Sequence, residues 1–120
     1  MKTLLLTNTR SKVIITTQVA KTFFPKLYGL MFRKEIAPNS GLILSENSES
    51  ILNTSIHMLF MNFDIAAIWI SKDWVVVDKC LAKKWHLAYV SHIPAMHVLE
   101  LPAFQFNNFL VGDKLEIQTA

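Results

Sequence analysis

Three polar side chains in otherwise apolar stretches of this sequence are the residues best suited to chemistry. His57 and Asp64 lie in the long apolar run 56–71, and Glu100 stands between two leucines. An imidazole and two carboxyl groups can exchange protons with a substrate, as general acids and bases do. His57, Asp64 and Glu100 are therefore the candidate catalytic residues, provided that the fold brings them into one cleft.

Each of these side chains also has a purely structural interpretation. A histidine inside an apolar strand is more often satisfied by a neighbouring carbonyl group than catalytic. A carboxylate on a core strand needs a partner, and Arg33 and Lys114 are the candidates for Glu100. The sequence therefore assigns no catalytic residue firmly. The candidate ligand-binding residues around the apolar run are Arg33, His57, Met61 and Asp64.

The remaining reactive residues match no compact catalytic or metal-binding motif. The sequence has no G-x-S-x-G motif and no P-loop. The single cysteine, Cys80, excludes an intrachain disulfide and a four-cysteine zinc site, although the nearby lysines 79, 83 and 84 would lower its thiol pKa. The histidine spacing is not that of a metal site, so we expect no metal and no cofactor. The histidines are His57, His86, His92 and His97.

Composition indicates a folded domain with a modest positive charge. Hydrophobic residues make up 52% of the chain and charged residues 18%, which argues against disorder. A net charge of +3 is compatible with nucleic acid but does not require it. The segment Lys83–His86 with Tyr89 mixes cations and aromatics, as a nucleic-acid surface does. Nucleic-acid binding is the least favoured function, and it predicts one basic face formed by Lys21, Lys26, Arg33, Lys34, Lys83 and Lys84.

The sequence carries no convincing targeting or membrane segment. The apolar part of the N-terminus, Leu4–Leu6, is much shorter than the roughly 7–15 residues of a secretory signal. The run 56–71 is short for a transmembrane helix and is interrupted by His, Asn and Asp. We therefore expect a complete cytoplasmic chain, whose partner is a small ligand or another protein.

The long apolar run sets the expected arrangement of the elements. As one strand it would extend about 50 Å, far beyond a typical strand. Asn62 and Asp64 favour a turn, so the run is predicted to form the strands Thr54–Met61 and Ile65–Ser71. Both faces of these strands are mostly apolar, which predicts central strands, with a buried helix as the alternative.

Other short alternating runs predict the rest of a sheet. The runs Thr3–Thr7 and Lys12–Thr16 indicate a hairpin. Val19–Phe32, capped at Thr22, and Ala103–Leu110 are predicted to contain short helices, with Gly29 ending or kinking the first. Further strands are predicted at Leu42–Leu44, Trp74–Asp78, Ala95–Leu101 and Lys114–Gln118. Turns or surface segments are predicted at Ala37–Gly41, Ser45–Asn53, Lys72–Asp73, Lys79–Ile93 and Val111–Asp113.

These elements predict one mainly β domain over residues 1–120. Strands joined by short turns, with one to three short helices at the margins, are typical of a compact antiparallel β-barrel or β-sandwich.

An ordered set of segments, none specific alone, is similar to one known family over about residues 12–118. The sequence resembles the domain of unknown function 192 family, also called uncharacterised protein family 0127. The resemblance implies a small, mainly β single domain and no established reaction. The segments include Gly29–Arg33, Gly41–Leu44, His57 with Phe60 and Met61, Val98–Leu101, and Val111–Leu115.

The central motif departs from the family pattern Met-x-x-Pro-(Ile/Leu)-Asp. Met61 matches, but Asp64 stands at the proline position and Ala66 at the aspartate position. Strand alternation would place Asp64 and Ala66 on one face, so the carboxylate is interpreted as displaced by two residues. The chain would then be an impaired member, or Asp64 would replace a structural carboxylate.

Two functions follow from these observations, besides nucleic-acid binding. The first is a non-catalytic binding or accessory module, with a partly apolar cleft near the predicted central hairpin. The second is a hydrolase-like enzyme that uses His57, Asp64 and Glu100. Convergence of these three side chains in an open pocket would favour the enzyme.

Overall fold

The computed structural model describes residues 2–21, 34–58, 61–86 and 88–119. The chain forms seven strands and a short 3-10 helix over Ala103–Asn108. The strands are β1 (Lys2–Asn8), β2 (Ile14–Ala20), β3 (Ser40–Ser50), β4 (Ile65–Ile70), β5 (Val76–Ala82), β6 (Ala95–Pro102) and β7 (Leu115–Thr119).

All seven strands belong to one sheet, in the order β5-β4-β6-β3-β2-β1-β7. Neighbouring strands are antiparallel except β2 and β3, which are parallel. A parallel pair cannot be joined by a tight turn, and β2 and β3 are well separated in the sequence, since β2 ends at Ala20 and β3 begins at Ser40. The prediction of a mainly β, largely antiparallel fold is confirmed, with the parallel pair β2–β3 as a feature that the sequence did not indicate.

The sheet is not closed into a barrel. The edge strands approach each other at one corner, where an isolated bridge joins Val75 and Lys114. Two further bonds run from the Val76 N–H to the Asp113 carbonyl at 2.9 Å and from the Gly112 N–H to the Val76 carbonyl at 2.8 Å. The turn between the 3-10 helix and β7 therefore holds the start of β5.

Strands β4 and β6 lie inside the sheet and are buried on both faces. Every residue of β4 is buried, as is every residue of β6 except Met96. Alternation divides their side chains between two clusters, here called the first core and the second core. The first core includes Leu6, Ile15, Ile43, Ala66, Ile68, Leu99, Leu101 and Phe109. The second core includes Leu42, Ile56, Met58, Met61, Ile65, Ala67, Trp69 and Val98.

The long apolar run is a strand only in its second half. Ile65–Ser71 is confirmed as β4, but the strand predicted over Thr54–Met61 is wrong. Ile56 makes only an isolated bridge, with Tyr89. Apolar residues recur there because the segment covers the second core, where Ile56, Met58 and Met61 are buried. The indole N–H of Trp69 donates to the Thr54 carbonyl at 2.8 Å, and this bond attaches the covering segment to β4.

Most of the other elements are where the sequence places them. The first hairpin, the strands at Ala95–Leu101 and Lys114–Gln118, the short helix after Pro102 and the turn at Lys72–Asp73 are all confirmed, within a few residues. Residues 22–33 are outside the described residues. They include Gly29, Arg33 and most of the segment in which a helix capped at Thr22 was predicted. Within the described ranges, no helix is long and apolar enough to cross a membrane.

Two boundaries differ from the prediction because tertiary pairing overrides local polarity. The predicted loop Ser45–Asn53 is strand as far as Ser50, since β3 pairs with β6 through Ser45 and His97. The strand predicted at Trp74–Asp78 begins at Val76 and continues to Ala82, into the segment predicted to be irregular. Trp74 precedes it in a left-handed conformation, with φ of 62°.

Gly112 is expected to be needed for its backbone conformation. Its φ is +97°, and an added Cβ would meet no atom within 4 Å, so the cost of a side chain is backbone strain alone. Gly112→Val should lower the free energy of unfolding by about 1–3 kcal/mol in chemical denaturation. Gly112→Asn should cost less, because Asn tolerates the left-handed region. Equal unfolding midpoints for the Val variant and the wild type would contradict this.

Candidate functional site

Glu100 is a carboxyl group buried in the middle of the sheet. Its residue is 6% exposed, and it lies on β6 between Leu42 of β3 and Ala67 of β4. Burial raises the pKa of Glu100 to about 7, because an ionised carboxylate loses its hydration there. Among the described residues, no hydrogen bond or ion pair reaches this carboxyl group. The carboxyl group therefore titrates much closer to neutral pH than an exposed glutamate does.

The partners predicted for Glu100 do not account for it. The Lys114 ammonium group donates instead to the Asp73 carbonyl, at the corner where β5 approaches β7. Arg33 is outside the described residues. The prediction that Lys114 neutralises Glu100 is wrong, because sequence order does not show that Lys114 lies at the edge of the sheet and Glu100 at its centre.

The cross-strand register places Glu100 in one row of side chains that crosses six strands. Directly paired positions in adjacent strands share a face of the sheet. The row lies on the face of the second core, and it brings together residues from both ends of the chain. In order across the sheet, its members are Thr3, Gln18, Leu42, Glu100, Ala67 and Cys80.

A pocket of about 330 Å³ lies over one half of this row. Its floor is formed by β1, β2 and β3, and its wall by the segment 35–37 that precedes β3. Leu42 lines the pocket and is also the direct cross-strand neighbour of Glu100. The side chains that line it are mainly hydroxyl, amide and aliphatic groups. They belong to Thr3, Thr16, Gln18, Glu35, Ile36, Ala37, Ser40 and Leu42.

The residues of this pocket carry no motif that marks them in the sequence. Thr16 and Gln18 are exposed and alternate along β2 with buried Ile15 and Val19, which is the ordinary pattern of a strand with one wet face. Only the parallel pairing of β2 with β3 adds Ser40 and Leu42 to them. The available signal was the polar side of β2, and it did not specify a pocket.

Asp64 lies at the open end of the β4–β5 hairpin and has a clear structural partner. Its Oδ1 accepts a hydrogen bond from the Lys84 backbone N–H at 2.8 Å, and its Oδ2 lies 3.5 Å from the Lys83 ammonium group. The bond from Lys84, opposed by burial and assisted by the charge of Lys83, lowers the pKa of Asp64. The carboxylate thus accepts a bond from a backbone N–H group, as expected. The donor, however, is Lys84 after the end of β5, and not a residue of the turn that contains Asp64.

Asp64 does not replace a carboxylate at position 66. Ala66 lies within β4 and is fully buried in the first core, where it pairs with Leu101. Asp64 precedes the strand, half-buried, and faces the lysines after β5. Strand alternation does not extend to Asp64, because β4 begins only at Ile65.

The other candidate ligand-binding residues do not line the pocket. Met61 is buried in the second core, 3% exposed, so its side chain packs inside the protein. His57 is half-buried on the segment that covers this core. Among the described candidates, His57 and Met61 therefore lie on the segment that covers the second core and Asp64 lies at the end of the β4–β5 hairpin, and none of the three lines the pocket.

Cys80 has the chemistry of a half-buried thiol rather than of an activated nucleophile. Burial, together with the negative charge of Asp78, raises the pKa of Cys80 to about 11. The expected effect of the nearby lysines is absent. The Lys79 ammonium group lies 4.0 Å from the ring centre of Phe106 and donates to the Phe106 carbonyl at 3.1 Å, and Lys83 contacts Asp64.

His97 forms a polar contact and a ring contact that hold the fold together. His97 Nδ1 lies 2.7 Å from Ser45 Oγ, and its ring stacks on Trp74 with the ring centres 4.1 Å apart. Burial, together with the charge of Lys21, lowers the pKa of His97 to about 4, so this ring is neutral at pH 7. In the described part of the chain, no three His, Cys, Asp or Glu side chains cluster closely enough to hold a metal ion.

Ser91, His92 and Asp78 have the residue types of a catalytic triad without its geometry. The exposed His92 places Nδ1 2.9 Å from Asp78 Oδ2, which also accepts the His92 backbone N–H at 2.8 Å. The Ser91 hydroxyl group, however, donates to the Ile93 carbonyl at 2.6 Å. A triad needs the serine on the other ring nitrogen, so this group is a tether between β5 and the turn before β6.

Among the described basic residues, Lys21 lies far from Lys83 and Lys84, so these three do not share the face predicted for a nucleic-acid binder. Lys21 follows β2, whereas Lys83 and Lys84 follow β5. These strands are four positions apart in the sheet, roughly 19 Å along it at about 4.8 Å per strand. Lys26 and Arg33 are outside the described residues.

Glu100→Gln should change the pH dependence of stability. Glu100 has a raised pKa in the folded state, so the folded protein binds more protons than the unfolded chain between pH 4.5 and about 7. Stability from this group falls as pH rises through that window, whereas His97 acts in the opposite direction between about 4 and 6.5. Relative to the wild type, the free energy of unfolding of the Gln variant should rise by on the order of 2–3 kcal/mol between pH 4 and pH 8. Urea denaturation measures this, and a pH-independent difference would contradict it.

Asp64→Ala should destabilise the protein by about 0.5–2 kcal/mol, because the Lys84 N–H loses its acceptor. Asp64→Asn is the matched control, since it keeps an oxygen acceptor and removes the charge that faces Lys83. Asn should therefore recover most of the loss, as measured by chemical denaturation. A loss in the Asn variant equal to that in the Ala variant would assign the effect to the ion pair.

Comparisons with known proteins agree with this fold. The model of the DUF192 family, described as "Uncharacterized ACR, COG1430", matches residues 5–117. The UPF0127 protein of Pyrococcus furiosus is 36% identical over 111 residues, covering 90% of this chain and 92% of that protein. The UPF0127 protein of Thermococcus kodakarensis is 39% identical over 85 residues, covering 71% of this chain and 52% of that protein. The chain thus matches about half the length of that second relative.

A solved structure shares the fold at low sequence identity. The crystal structure of a protein of unknown function from Novosphingobium aromaticivorans has a TM-score of 0.82 and 23% identity, covering 95% of this chain and 83% of that one. At this identity the likeness concerns the fold alone. With the family match over nearly the whole chain and the identity to the Pyrococcus protein, the resemblance noted in the sequence is confirmed. The chain belongs to the domain of unknown function 192 (UPF0127) family.

Proposed function

We propose that this protein is a non-catalytic small-ligand-binding module, whose site is the pocket over β1, β2 and β3. The observation that carries the proposal is the pocket itself, with its volume of about 330 Å³. Small-molecule sites in proteins have volumes of about 300–1,000 Å³. The site is thus a small one, suited to a compact molecule. This pocket differs in position from the cleft that the sequence suggested, which was expected near Asn62–Asp64.

The lining of the pocket supports binding by contacts of two kinds. Ile36, Ala37 and Leu42 offer apolar surface, whereas Thr16 and Gln18 offer hydrogen-bonding groups. Such a mixture provides affinity through burial and orientation through a few polar contacts. A rigid floor of paired strands also lowers the entropic cost of binding, since little ordering is needed.

The distribution of the reactive groups supports a binding role over a catalytic one. The lining described here contains one ionisable side chain, Glu35, and no histidine or cysteine. The enzyme hypothesis needs His57, Asp64 and Glu100 in one cleft. Asp64 instead holds Lys83 and Lys84 at the end of the β4–β5 hairpin, while Glu100 is buried in the centre of the sheet.

Nucleic-acid binding has one observation in its favour. Trp85 is 54% exposed and has φ of 67°, a conformation that is costly for a bulky residue, beside the exposed Lys83 and Lys84. One aromatic platform with two lysines, one of them near Asp64, gives few phosphate contacts. The pocket is therefore the stronger basis for a function. A cytoplasmic location remains part of this proposal.

A screen of small metabolites by thermal shift tests the function. Ligands that bind only the folded state raise the melting temperature, by an amount that grows with the logarithm of the ligand concentration relative to its Kd. Gln18→Trp, which fills the pocket from an exposed strand position, should abolish those shifts.

Ile14→Trp is the matched control, because Ile14 is an exposed residue of the same strand and face and does not line the pocket. It should leave the shifts unchanged. Ligands whose shifts persist in the Gln18→Trp variant bind elsewhere, and that result would overturn the proposed site.

A further inference from the structure

We propose that the pocket selects small organic cations, amines or guanidinium compounds with a short apolar part, and that Glu100 is the buried carboxylate that receives their charge. This inference rests on the proposed function, because it names the class of ligand for the same pocket. It adds to the pocket a residue that does not line it in the ligand-free structure.

The register of the sheet connects Glu100 to the pocket. Gln18, Leu42 and Glu100 are directly paired across β2, β3 and β6, so their side chains leave the same face of the sheet in one row. Leu42 is the member that lines the pocket on one side and neighbours Glu100 on the other. A change of rotamer at Leu42 is the movement that would open the pocket toward the carboxyl group.

Glu100 has the burial and the missing partner that a ligand would explain. It is 6% exposed, and the described residues offer it no donor or cation. A buried carboxyl group without a partner costs free energy, and it is retained where it serves a purpose. A ligand N–H group would supply the missing donor, and a cationic one would supply the stronger, charge-assisted bond.

The charge around the pocket favours a cation over an anion. Glu35 lines the pocket at its exposed side, and no lysine or arginine is among the described lining residues. The remaining polar groups, such as Thr16, Ser40 and Gln18, are neutral. Among the described lining residues and Glu100, an anionic ligand would thus meet two carboxyl groups and no lysine or arginine, whereas an amine would be attracted by Glu35 and neutralised by Glu100.

Binding of a cation should be coupled to loss of a proton from Glu100. The carboxyl group holds its proton up to about pH 7 in the free protein, so a cation that pairs with the carboxylate must displace that proton. The other titratable groups on the elements around this face are Glu35 at the pocket, Cys80 and Asp78 on β5, and His57 on the covering segment. Asp78 is ionised and Cys80 neutral throughout this range.

The test compares benzylamine, benzyl alcohol and benzoate, which share a ring and differ in charge. Titrations of the ¹⁵N-labelled protein are followed through the amide signals of Gln18 and Leu42 between pH 5 and pH 8.5. Benzylamine should bind best, with an affinity that rises about tenfold per pH unit up to about pH 7 and is level above it. Benzyl alcohol should bind weakly without this slope, and benzoate should not bind.

Three variants assign the effect to residues. Glu100→Gln should weaken benzylamine binding at pH 8 by about tenfold or more and remove the slope, with little change for benzyl alcohol. Glu35→Gln should weaken it less and keep the slope. Glu116→Gln, an exposed carboxylate on β7, should change nothing. Leu42→Phe should block access to Glu100 while its charge remains, which tests the route if the Gln variant does not fold.

The possible results separate the two proposals. Equal binding of the three probes, insensitive to Glu100→Gln and abolished by Gln18→Trp, would overturn the selection for cations and leave the pocket as a ligand site. A cation preference lost in Glu35→Gln and kept in Glu100→Gln would overturn the role of Glu100. Failure of the three probes and of every compound in the thermal-shift screen would overturn the proposed function, and the inference with it.

Discussion

The burial of β4 and β6 on both faces is the constraint on which the structure depends. Their backbone groups are paired on both sides, because β4 lies between β5 and β6, and β6 between β4 and β3. Their side chains must then be apolar on both faces, and each face must be covered by other parts of the chain. The covering segment with Ile56, Met58 and Met61 follows from this requirement, and the bond from Trp69 to Thr54 fastens it.

Glu100 violates this constraint at the centre of the sheet. Its direct neighbours are Leu42 and Ala67, and these two residues and Val98, which precedes it on the same face of β6, belong to the second core. An aliphatic side chain would avoid the loss of hydration that raises the pKa of Glu100. A local departure from the rules of packing, with no compensating partner in the described residues, is typical of a functional position.

The other buried or half-buried acids show what a structural carboxylate in this protein looks like. Asp113 binds Arg10 Nε and Asn8 Nδ2, each at 2.8 Å, and Asp78 binds the His92 backbone. Although burial acts to raise the pKa of both acids, these hydrogen bonds lower it. Each joins a strand end to a neighbouring turn. Glu100 has no such hydrogen bond among the described residues, and its pKa is raised rather than lowered. These two differences separate it from the acids that hold the fold together.

Local chemistry in the sequence determined much of the fold. Short alternating runs identified the first hairpin, β6 and β7, whereas β4 was identified as the apolar run that follows the turn residues Asn62 and Asp64. Gly112 was identified as a turn residue, since it interrupts an apolar pattern before a strand, and its φ of +97° agrees. Asp64 was expected to accept a bond from a neighbouring backbone N–H group, and it does.

Only the tertiary structure decided which part of the apolar run 56–71 is a strand, and which residues meet at the candidate site. A segment that covers a core repeats apolar residues much as a strand does, so periodicity could not separate Thr54–Met61 from β4. The pocket and the row that contains Glu100 depend on the parallel pairing of β2 with β3 and on the register of β3 with β6. These pairings join residues far apart in the chain, and they are set by packing of the whole sheet rather than by any local pattern.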